Sequence, residues 1–312
     1  MFIRAVGRAE DRFDEDPLRM LRAVSLAARA PREVRVRWDR GTFKAILKMR
    51  EKLYNVSYER INQEFTKILI SDRCGVCLEL MDRLKLLEIV VPELVATKGV
   101  EQRKAAHKYD VFTHTLATVA AITPRLDLRL AALLHDIGKP ATMKPGPDGE
   151  THFFGHERVG AKMAASILQR LRYPKEVISK VTHLIYHHMF SYPETDAGIR
   201  RFIARVGQEH VWDLLELRRA DTLGSGKRLS WRYHRFKKRL EEIMYQAPPF
   251  TVRDLAVDGY DVMRELDIKP GPRVGQVLRF LLNRVLDNPE LNKRDVLLEM
   301  IRNFNFEDSR QQ

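Results

Sequence analysis

Apolar side chains recur along most of the chain at intervals of three and four residues, the spacing that places them on one face of an α-helix. The clearest examples are Leu18, Leu21 and Val24, then Val111, Leu116, Val119 and Ile122, and then Ile167, Leu168 and Leu171. The alternation of apolar and polar residues that is typical of strands is nearly absent. The best strand candidate is residues 150–154, which follow a turn-like stretch at 145–149. We therefore predict an all-α fold, with 150–154 as a short strand or an extended loop.

Composition divides the chain into three segments. Residues 1–104 are basic, helical in pattern and free of histidine, and residues 105–224 hold most of the ten histidines. Residues 225–312 begin with a basic and aromatic run at 227–239 and continue as helices interrupted by prolines at 248–249 and 269–272. We expect each segment to form a separate part of the protein.

Length and charge limit the class of protein. A chain of 312 residues with 44% apolar residues can bury a substantial core. It has no apolar run long enough to span a membrane and no signal peptide, so we expect a soluble, cytoplasmic protein. The net charge of +13 favours a polyanionic partner, with nucleic acid first, although a merely cationic surface also fits the composition.

The two cysteines, Cys74 and Cys77, form a single C-x-x-C motif. With no second pair, cysteine alone cannot build a disulfide framework or a four-ligand zinc site. We favour two small buried side chains on a helix over redox chemistry, because reactivity requires an environment that lowers the thiol pKa.

An apolar run at 128–134 leads into HDIGKP at 135–140. We interpret it as a helix that ends at Gly138, since Pro140 prevents continuation. Adjacent His135 and Asp136 at a helix end can reach one cation, and they supply one nitrogen and one oxygen ligand.

Further histidines and an aspartate lie on or beside predicted helices. They are His114 at 110–116, His156 at the start of a helix, His183, His187 and His188 on another helix, and Asp221 at the end of the helix 212–220. Taken singly, each histidine is more often a core or surface residue than a ligand. The ordered series of H, HD, H, HH and D, however, closely resembles the HD phosphohydrolase superfamily.

The resemblance implies roles for these positions. His114, His135, Asp136 and Asp221 match the ligands of a main metal ion, and Asp136 matches the residue that bridges to a second ion held by His156 and by His187, His188 or both. Lys139 resembles the lysine that contacts the scissile phosphate. His107, His152 and His183 lie near the series but outside its pattern. Two roles are equally compatible with them: a purely structural one, or contact with the metal ligands or the substrate.

Divalent ions suit this chemistry because they activate water near neutral pH and neutralise charge that develops on phosphate oxygens. Mixed imidazole and carboxylate ligation fits Mn, Fe, Co, Ni or Zn, and we include Mg among the possible ions. We expect one or two divalent ions, with two favoured by the full series of histidines.

Two motifs in the first segment are EDPLR at 15–19 and ERINQE at 59–64. By themselves they indicate helix caps at Asp16 and Ser57 and arginines one turn apart, Arg19 and Arg22. Together with 78–81, 91–94 and the last segment, they resemble the neck, body and tail of bacterial class II tRNA nucleotidyltransferases, the CCA-adding enzymes and poly(A) polymerases. Many bacterial members carry an HD domain at this place in the chain.

This second resemblance implies that residues 1–104 are a neck- or body-like part that binds RNA or nucleotide, 105–224 an HD phosphohydrolase domain and 225–312 a body or tail that binds RNA. Asp16 and Arg19 match the pair that presents hydrogen bonds to the incoming base. The residues that we expect to contact RNA are Arg22, Arg60, Lys227, Arg228, Trp231, Arg232, Arg235, Lys237 and Lys238. Trp231, Tyr233 and Phe236 could stack on bases, and an equal alternative is a solvated helix with these aromatics turned inward.

The catalytic head of such enzymes is expected to be missing from this chain. Residues 14–16 have the D-x-D spacing, but no Gly-rich strand precedes them, and 224–227 are too short for a phosphate-binding loop.

Three functions remain. The first is an HD phosphohydrolase or phosphodiesterase acting on RNA 3′ ends, 2′,3′-cyclic phosphates or nucleotides. The second is the tRNA-binding part of a nucleotidyltransferase whose head is a separate chain or was removed. The third is a small-nucleotide phosphohydrolase without RNA.

Overall fold

A computed structural model describes residues 1–102, 109–146 and 151–306. Helices dominate this part of the chain, and the predicted all-α fold is confirmed. Two sheets of two short strands accompany the helices. In one, β1 (Phe2–Ile3) pairs in parallel with β2 (Arg37–Trp38), and in the other, β3 (Lys144–Pro145) pairs antiparallel with β4 (Thr151–His152). The predicted strand thus forms at 151–152, while Glu150 lies outside the described residues.

The chain divides into two compact units. The first contains Met1–Phe190 and Trp212–Leu229, and the second contains Ser191–Val211 and the chain from Ser230 onward. These bounds differ from the three segments that composition indicated, since the first unit draws on all three of them. The three-segment division stays a prediction.

The first unit is a stack of helices joined by short turns. They are α1 (Ala9–Glu15), α2 (Arg19–Ala28), α3 (Arg40–Met49), a 3₁₀ segment (Arg50–Asn55), α4 (Tyr58–Leu69), α5 (Cys74–Arg83), α6 (Leu87–Val90), α7 (Pro92–Val95), α8 (Val111–Ala121), α9 (Leu126–Leu134), α10 (Lys139–Thr142), α11 (His156–Arg170) and α12 (Lys175–His187). Helix α11 packs along α12, α12 packs on α9, and α9 packs on α8. This sequence of contacts brings the ends of four helices together, and the histidines lie at those ends.

The cysteines confirm the expectation of small buried helix side chains. Cys74 and Cys77 lie on α5, and both are free and buried. Burial raises the pKa of the Cys74 thiol to about 12 and that of Cys77 to about 11. Both therefore remain protonated near neutral pH, which opposes redox chemistry.

Helix ends near the HD motif differ from the prediction. Helix α9 ends at Leu134, one turn before Gly138, and a second short helix, α10, begins at Lys139. Pro140 lies in the first turn of α10, where its missing N–H costs no hydrogen bond. The proline therefore starts a helix here, and His135 and Asp136 occupy the turn between two helices.

The second unit contains α13 (Asp196–Val206), α15 (Trp231–Gln246), a 3₁₀ segment (Val252–Asp254), α16 (Gly259–Leu266), α17 (Pro272–Asp287), a 3₁₀ segment (Pro289–Leu291) and α18 (Arg294–Arg302). Helix α14 (Gln208–Gly224) belongs to the first unit from Trp212 onward. The core of the last three helices is formed by aliphatic residues such as Val262, Leu281 and Leu297. The buried Arg200 donates to the carbonyls of Leu286 and Asp287, and so connects α13 to the end of α17.

Within the described residues, no helix is long and apolar enough to cross a membrane.

Candidate metal centre

Six of the seven residues predicted to bind metal meet at the ends of helices in the first unit. His114 lies on α8, His135 and Asp136 follow α9, His156 opens α11, His188 follows α12, and Asp221 lies in the last turn of α14. All but Asp221 are buried, and Asp221 is partly buried. Helix α14 extends one turn beyond the predicted end at residue 220, so Asp221 is still helical.

One group of ligand atoms surrounds His114. Its Nε2 atom lies 3.2 Å from Nε2 of His135 and 3.1 Å from an oxygen of Asp221. The Oδ2 atom of Asp136 lies 3.2 Å from Nε2 of His135 and 3.6 Å from Nε2 of His114. Two imidazoles and two carboxylates thus face one small space.

A second group lies on the other side of Asp136. The Nε2 atoms of His156 and His188 are 3.3 Å apart. The Oδ1 atom of Asp136 lies 3.4 Å from Nε2 of His156 and 3.9 Å from Nε2 of His188. Each oxygen of Asp136 therefore faces a different group, and this is the arrangement that a carboxylate bridging two ions requires.

The histidine rings are oriented by their other nitrogen. The Nδ1 atoms of His135, His156 and His188 lie 2.8, 2.8 and 2.6 Å from the backbone carbonyls of Ala132, Phe153 and Ile185. A carbonyl only accepts, so Nδ1 carries the proton and Nε2 of the neutral ring carries a lone pair. The lone pairs of His156 and His188 face one another across 3.3 Å and repel unless a cation or a proton lies between them. The donor set therefore fits divalent ions, and metal ligands in proteins are commonly oriented in this way.

Electrostatics also favour cation binding. Burial opposes the negative charge of Asp136, but the neighbouring charges of His135 and Lys139 hold its pKa well below the usual range. Burial likewise opposes ionisation of Asp221, and the hydrogen bond with His114 lowers its pKa far below normal. Burial lowers the pKa of His188 to about 3, with repulsion from His135 contributing. The centre thus offers two carboxylates and a neutral imidazole at neutral pH.

Lys139 is buried beside the same carboxylate. Its Nζ atom donates to Oδ2 of Asp136 at 2.6 Å and to Oε1 of Gln102 at 2.5 Å. The prediction that Lys139 contacts a phosphate is not tested by these contacts, but they place its charge at the centre. Gln102 was not predicted, because no local signal distinguishes it from other glutamines.

A close approach of two glycines holds the HD turn against α11. A Cβ atom on Gly138 would lie 2.5 Å from the carbonyl oxygen of His156 and 2.6 Å from the backbone nitrogen of Gly160. These are backbone atoms that cannot move aside cheaply. Glycine at 138 therefore allows the turn that carries Asp136 to lie directly against the start of α11, where His156 is.

His187 lies outside both groups. It is half-buried, and its ring lies 4.6 Å from that of His183 and 4.9 Å from that of Tyr186. Adjacent residues on a helix differ by about 100° in direction, which explains why His188 faces the centre and His187 does not. His152 stacks on Phe154 at 5.1 Å, and His107 lies outside the described residues.

The two motifs of the first segment meet in space. Arg60 donates to both oxygens of Asp16 at 3.1 Å, and Arg22 donates to Asp16 at 3.3 Å. Arg19 is bound to Glu15 at 2.7 Å. Asp16 also accepts from the backbone of Leu18, whereas Ser57 precedes α4 without a capping side-chain hydrogen bond. Nucleotide binding by Asp16 and Arg19 stays a prediction.

The basic run is largely exposed. Lys227, Arg228, Trp231, Arg232, Arg235, Lys237 and Lys238 are all exposed. Two of the three aromatics are not: Tyr233 is 6% exposed and Phe236 is 2% exposed. For these two, the alternative of aromatics turned inward holds, because both lie on the apolar face of α15. Trp231 alone remains open to a partner.

Two family descriptions match separate stretches of the chain. Residues 38–97 match the family described as "Probable RNA and SrmB- binding site of polymerase A". Residues 111–225 match the HD domain. The chain therefore contains an HD domain, as the histidine series predicted, preceded by a segment that resembles an RNA-binding part of polymerases.

Curated relatives extend the similarity over most of the chain. It is 35% identical over 285 residues to the CC-adding tRNA nucleotidyltransferase of Thermus thermophilus, and 34% identical over 294 residues to the A-adding tRNA nucleotidyltransferase of Deinococcus radiodurans. Each match covers 88% of this chain. The chain spans 63% and 65% of the length of these two relatives.

Solved structures share the fold. The CCA-adding enzyme of Bacillus stearothermophilus, solved with CTP, matches with a TM-score of 0.69 at 21% identity, and the match covers 100% of this chain and 67% of that one. A CCA-adding enzyme in its apo form matches with a TM-score of 0.52 at 16% identity, over 96% of this chain and 62% of that one. Together, these findings show an HD domain within the neck, HD and body architecture that resembles class II tRNA nucleotidyltransferases.

Proposed function

We propose that the HD domain is a metal-dependent phosphohydrolase that acts on RNA 3′ ends, 2′,3′-cyclic phosphates or nucleotides. The observation that carries this proposal is the position of Asp136 between two groups of ligand atoms, with one carboxylate oxygen toward each. A dinuclear centre of this kind can stabilise both the attacking and the leaving oxygen of a phosphoester.

Each ion would have its own set of ligands. His114, His135 and Asp221 with one oxygen of Asp136 would hold the first ion, and His156 and His188 with the other oxygen would hold the second. When bound, such ions activate water and neutralise charge on the phosphate oxygens. Their identity is left open among Mn, Fe, Co, Ni, Zn and Mg, since imidazole and carboxylate ligands suit several of them.

Lys139 would add positive charge beside the reacting phosphate. Its ammonium is already 2.6 Å from Asp136, so a small rotation of the side chain can exchange this partner for a phosphate oxygen. A positioned cation at a developing oxyanion lowers the barrier most strongly in a dry site. Lys139 is 6% exposed, which meets that condition.

RNA is the substrate class that the rest of the chain supports. The net charge is +13, and the relatives named above act on tRNA. The exposed cations of 227–238 can contact phosphates, and affinity would then fall steeply with salt. Weak RNA binding that does not depend on salt would instead favour a phosphohydrolase of small nucleotides.

The test is hydrolysis of 2′,3′-cyclic AMP and bis-p-nitrophenyl phosphate with Mn, Co or Ni. We expect turnover by the unaltered chain and none by Asp136→Asn, because both groups lose the shared carboxylate. His234→Ala, an exposed histidine outside the first unit, is the matched control and should retain full activity. Equal activity of Asp136→Asn and the unaltered chain would refute the proposal.

A second function is favoured by the two relatives, which add nucleotides to tRNA. Here the chain would hold tRNA for a nucleotidyltransferase head, present in the same polypeptide or in a separate chain, while Asp16 and Arg19 contact the incoming base. We would mix the purified chain with tRNA, CTP and ATP, alone and together with a head that carries Gly-Gly and D-x-D motifs. Addition that requires the head and is lost in Asp16→Ala would support this function, and addition unaffected by Asp16→Ala would contradict it.

A further inference from the structure

Helix α15 has one buried and one exposed face. Tyr233, Phe236, Leu240 and Ile243 are buried, at the spacing of a helical stripe. The exposed residues are mostly polar, and the large exposed aromatics are at the two ends of the helix, Trp231 and Tyr245. Trp231, the first residue of the helix, is 64% exposed.

Two guanidinium groups flank the ring of Trp231. The Cζ atoms of Arg232 and Arg235 lie 5.8 and 5.9 Å from its centroid, within the range of cation–π attraction. These contacts limit how far both arginines move from the ring. More than half of the tryptophan surface nevertheless remains open.

The two arginines are available to an anion. Among the described residues, no carboxylate lies within 4.0 Å of Arg232 or Arg235, whereas Arg239, one turn further along, is bound to Asp196 and Glu242. The first turn of α15 contains no acidic residue, and Ser230 caps it. The helix N-terminus adds partial positive charge to the same place. Glu194 is the acidic residue in the adjoining shallow groove.

We propose that Trp231 stacks on an unpaired base of RNA while Arg232 and Arg235 contact the neighbouring phosphates. An exposed indole flanked by two guanidiniums, neither of which has a carboxylate within 4.0 Å in the described part of the chain, matches the two components of single-strand binding. These are an aromatic platform and cations along the backbone. The groove beside Trp231 includes Tyr192 and Pro193, but Arg232, Arg235 and Arg239 line it too, and this cationic rim favours a polyanion over a docking protein. The proposal rests on RNA being the partner and does not depend on hydrolysis at the metal centre.

The test measures binding of three probes to the full chain by fluorescence anisotropy. The probes are deacylated tRNA with a 3′-hydroxyl end, a single-stranded RNA of twelve nucleotides and a blunt RNA duplex of the same length. We expect Trp231→Ala to weaken binding of tRNA and of the single strand by about 5- to 150-fold. Binding of the duplex should not change, because its bases are already stacked. Trp231→Tyr should recover most of the affinity.

Tyr245→Ala is the matched control. Tyr245 lies on the same helix, is 93% exposed and has no arginine stacked on it among the described residues. Its removal should leave all three affinities unchanged. The salt dependence is the slope of the logarithm of the binding constant against the logarithm of the salt concentration. Arg232→Ala and Arg235→Ala should each make this slope shallower by about 0.7, whereas Trp231→Ala should leave it unchanged.

Equal affinity of Trp231→Ala and the unaltered chain for single-stranded RNA would overturn the proposal. An equal loss for the duplex and the single strand would also overturn it, since stacking on an unpaired base would then not explain the effect. Hydrolysis of bis-p-nitrophenyl phosphate by the unaltered chain and by Asp136→Asn tests the metal centre separately. Failure of the stacking site and failure of the proposed hydrolase are therefore distinguishable.

Discussion

The Nε2 atoms of His156 and His188 lie 3.3 Å apart, although the Nδ1 atom of each ring is bound to a backbone carbonyl. In the neutral rings both Nε2 atoms carry lone pairs, and these repel one another. The Nε2 atoms of His114 and His135 also lie close together, at 3.2 Å, and both face the carboxylate of Asp136. Two pairs of close imidazole nitrogens around one aspartate are costly without a cation.

Divalent ions should stabilise the folded chain, because they relieve this repulsion and do not find the same site in the unfolded chain. An ion at one hundred times its dissociation constant contributes about 2.7 kcal/mol, which corresponds to a rise in Tm of roughly 5–10 °C for a unit of this size. Differential scanning fluorimetry with Mn or Ni against EDTA measures it. Asp136→Asn should not respond to the ions, and an equal response in that variant would contradict the account.

His188 and His187 should differ in their effect on metal binding. His188→Ala removes a buried nitrogen from the group that contains His156, whereas His187→Ala removes a ring that packs on His183 and Tyr186. Calorimetric titration with Mn should show loss of one binding event in His188→Ala and two unchanged events in His187→Ala. The reverse pattern would show that the adjacent histidine is the ligand.

Gly138→Ala should destabilise the chain, because the new methyl group would meet backbone atoms of His156 and Gly160 at 2.5 and 2.6 Å. Overpacking of this kind costs about 1–3 kcal/mol. Gly160→Ala is the matched control, since its Cβ would lie 3.4 Å or more from its neighbours and the residue is inside α11. Replacing a helical glycine with alanine there should stabilise by up to about 1 kcal/mol. Urea unfolding of both variants measures the difference, and an equal stability would argue against the close approach.

Alkaline pH should weaken the fold through the two cysteines. Burial raises the pKa of Cys74 to about 12 and that of Cys77 to about 11, so the unfolded chain loses these protons at a lower pH than the folded chain does. The thiols make their full contribution to the free energy of unfolding below about pH 9. This contribution falls as the pH rises, by up to ~1.4 kcal/mol per pH unit for each thiol. Urea unfolding at pH 8, 9 and 10 should show this slope, and Cys74→Ala with Cys77→Ala should flatten it. An unchanged slope in the double variant would assign the effect to other groups.

Six of the seven residues that the sequence predicted to bind metal lie together, because the signals that single them out are local. Each of the six lies at or near a helix end with its own turn or capping pattern, and the order of histidines and aspartates along the chain is distinctive. Metal binding by these residues stays a prediction. The choice between His187 and His188 depends on the angle at which α12 ends, which no local pattern specifies. Gln102 was missed for a related reason, since its role comes from packing beside Lys139 across 37 positions of sequence.

Helical periodicity distinguishes the buried aromatics of α15 from the exposed one. Tyr233, Phe236, Leu240 and Ile243 follow the three- and four-residue spacing of a buried stripe, and Trp231 lies off that stripe. The pattern alone therefore separates the inward aromatics from the outward one. The early end of α9 was harder to predict, because a proline is equally compatible with stopping one helix and starting the next.

The number of divalent ions bound per chain tests the central claim most directly. Elemental analysis after incubation with Mn and gel filtration should give two ions per unaltered chain, and fewer than one in Asp136→Asn, because both groups share that carboxylate. His234→Ala should give two, as the unaltered chain does. Two ions in Asp136→Asn, or none in the unaltered chain, would contradict a dinuclear centre built around Asp136.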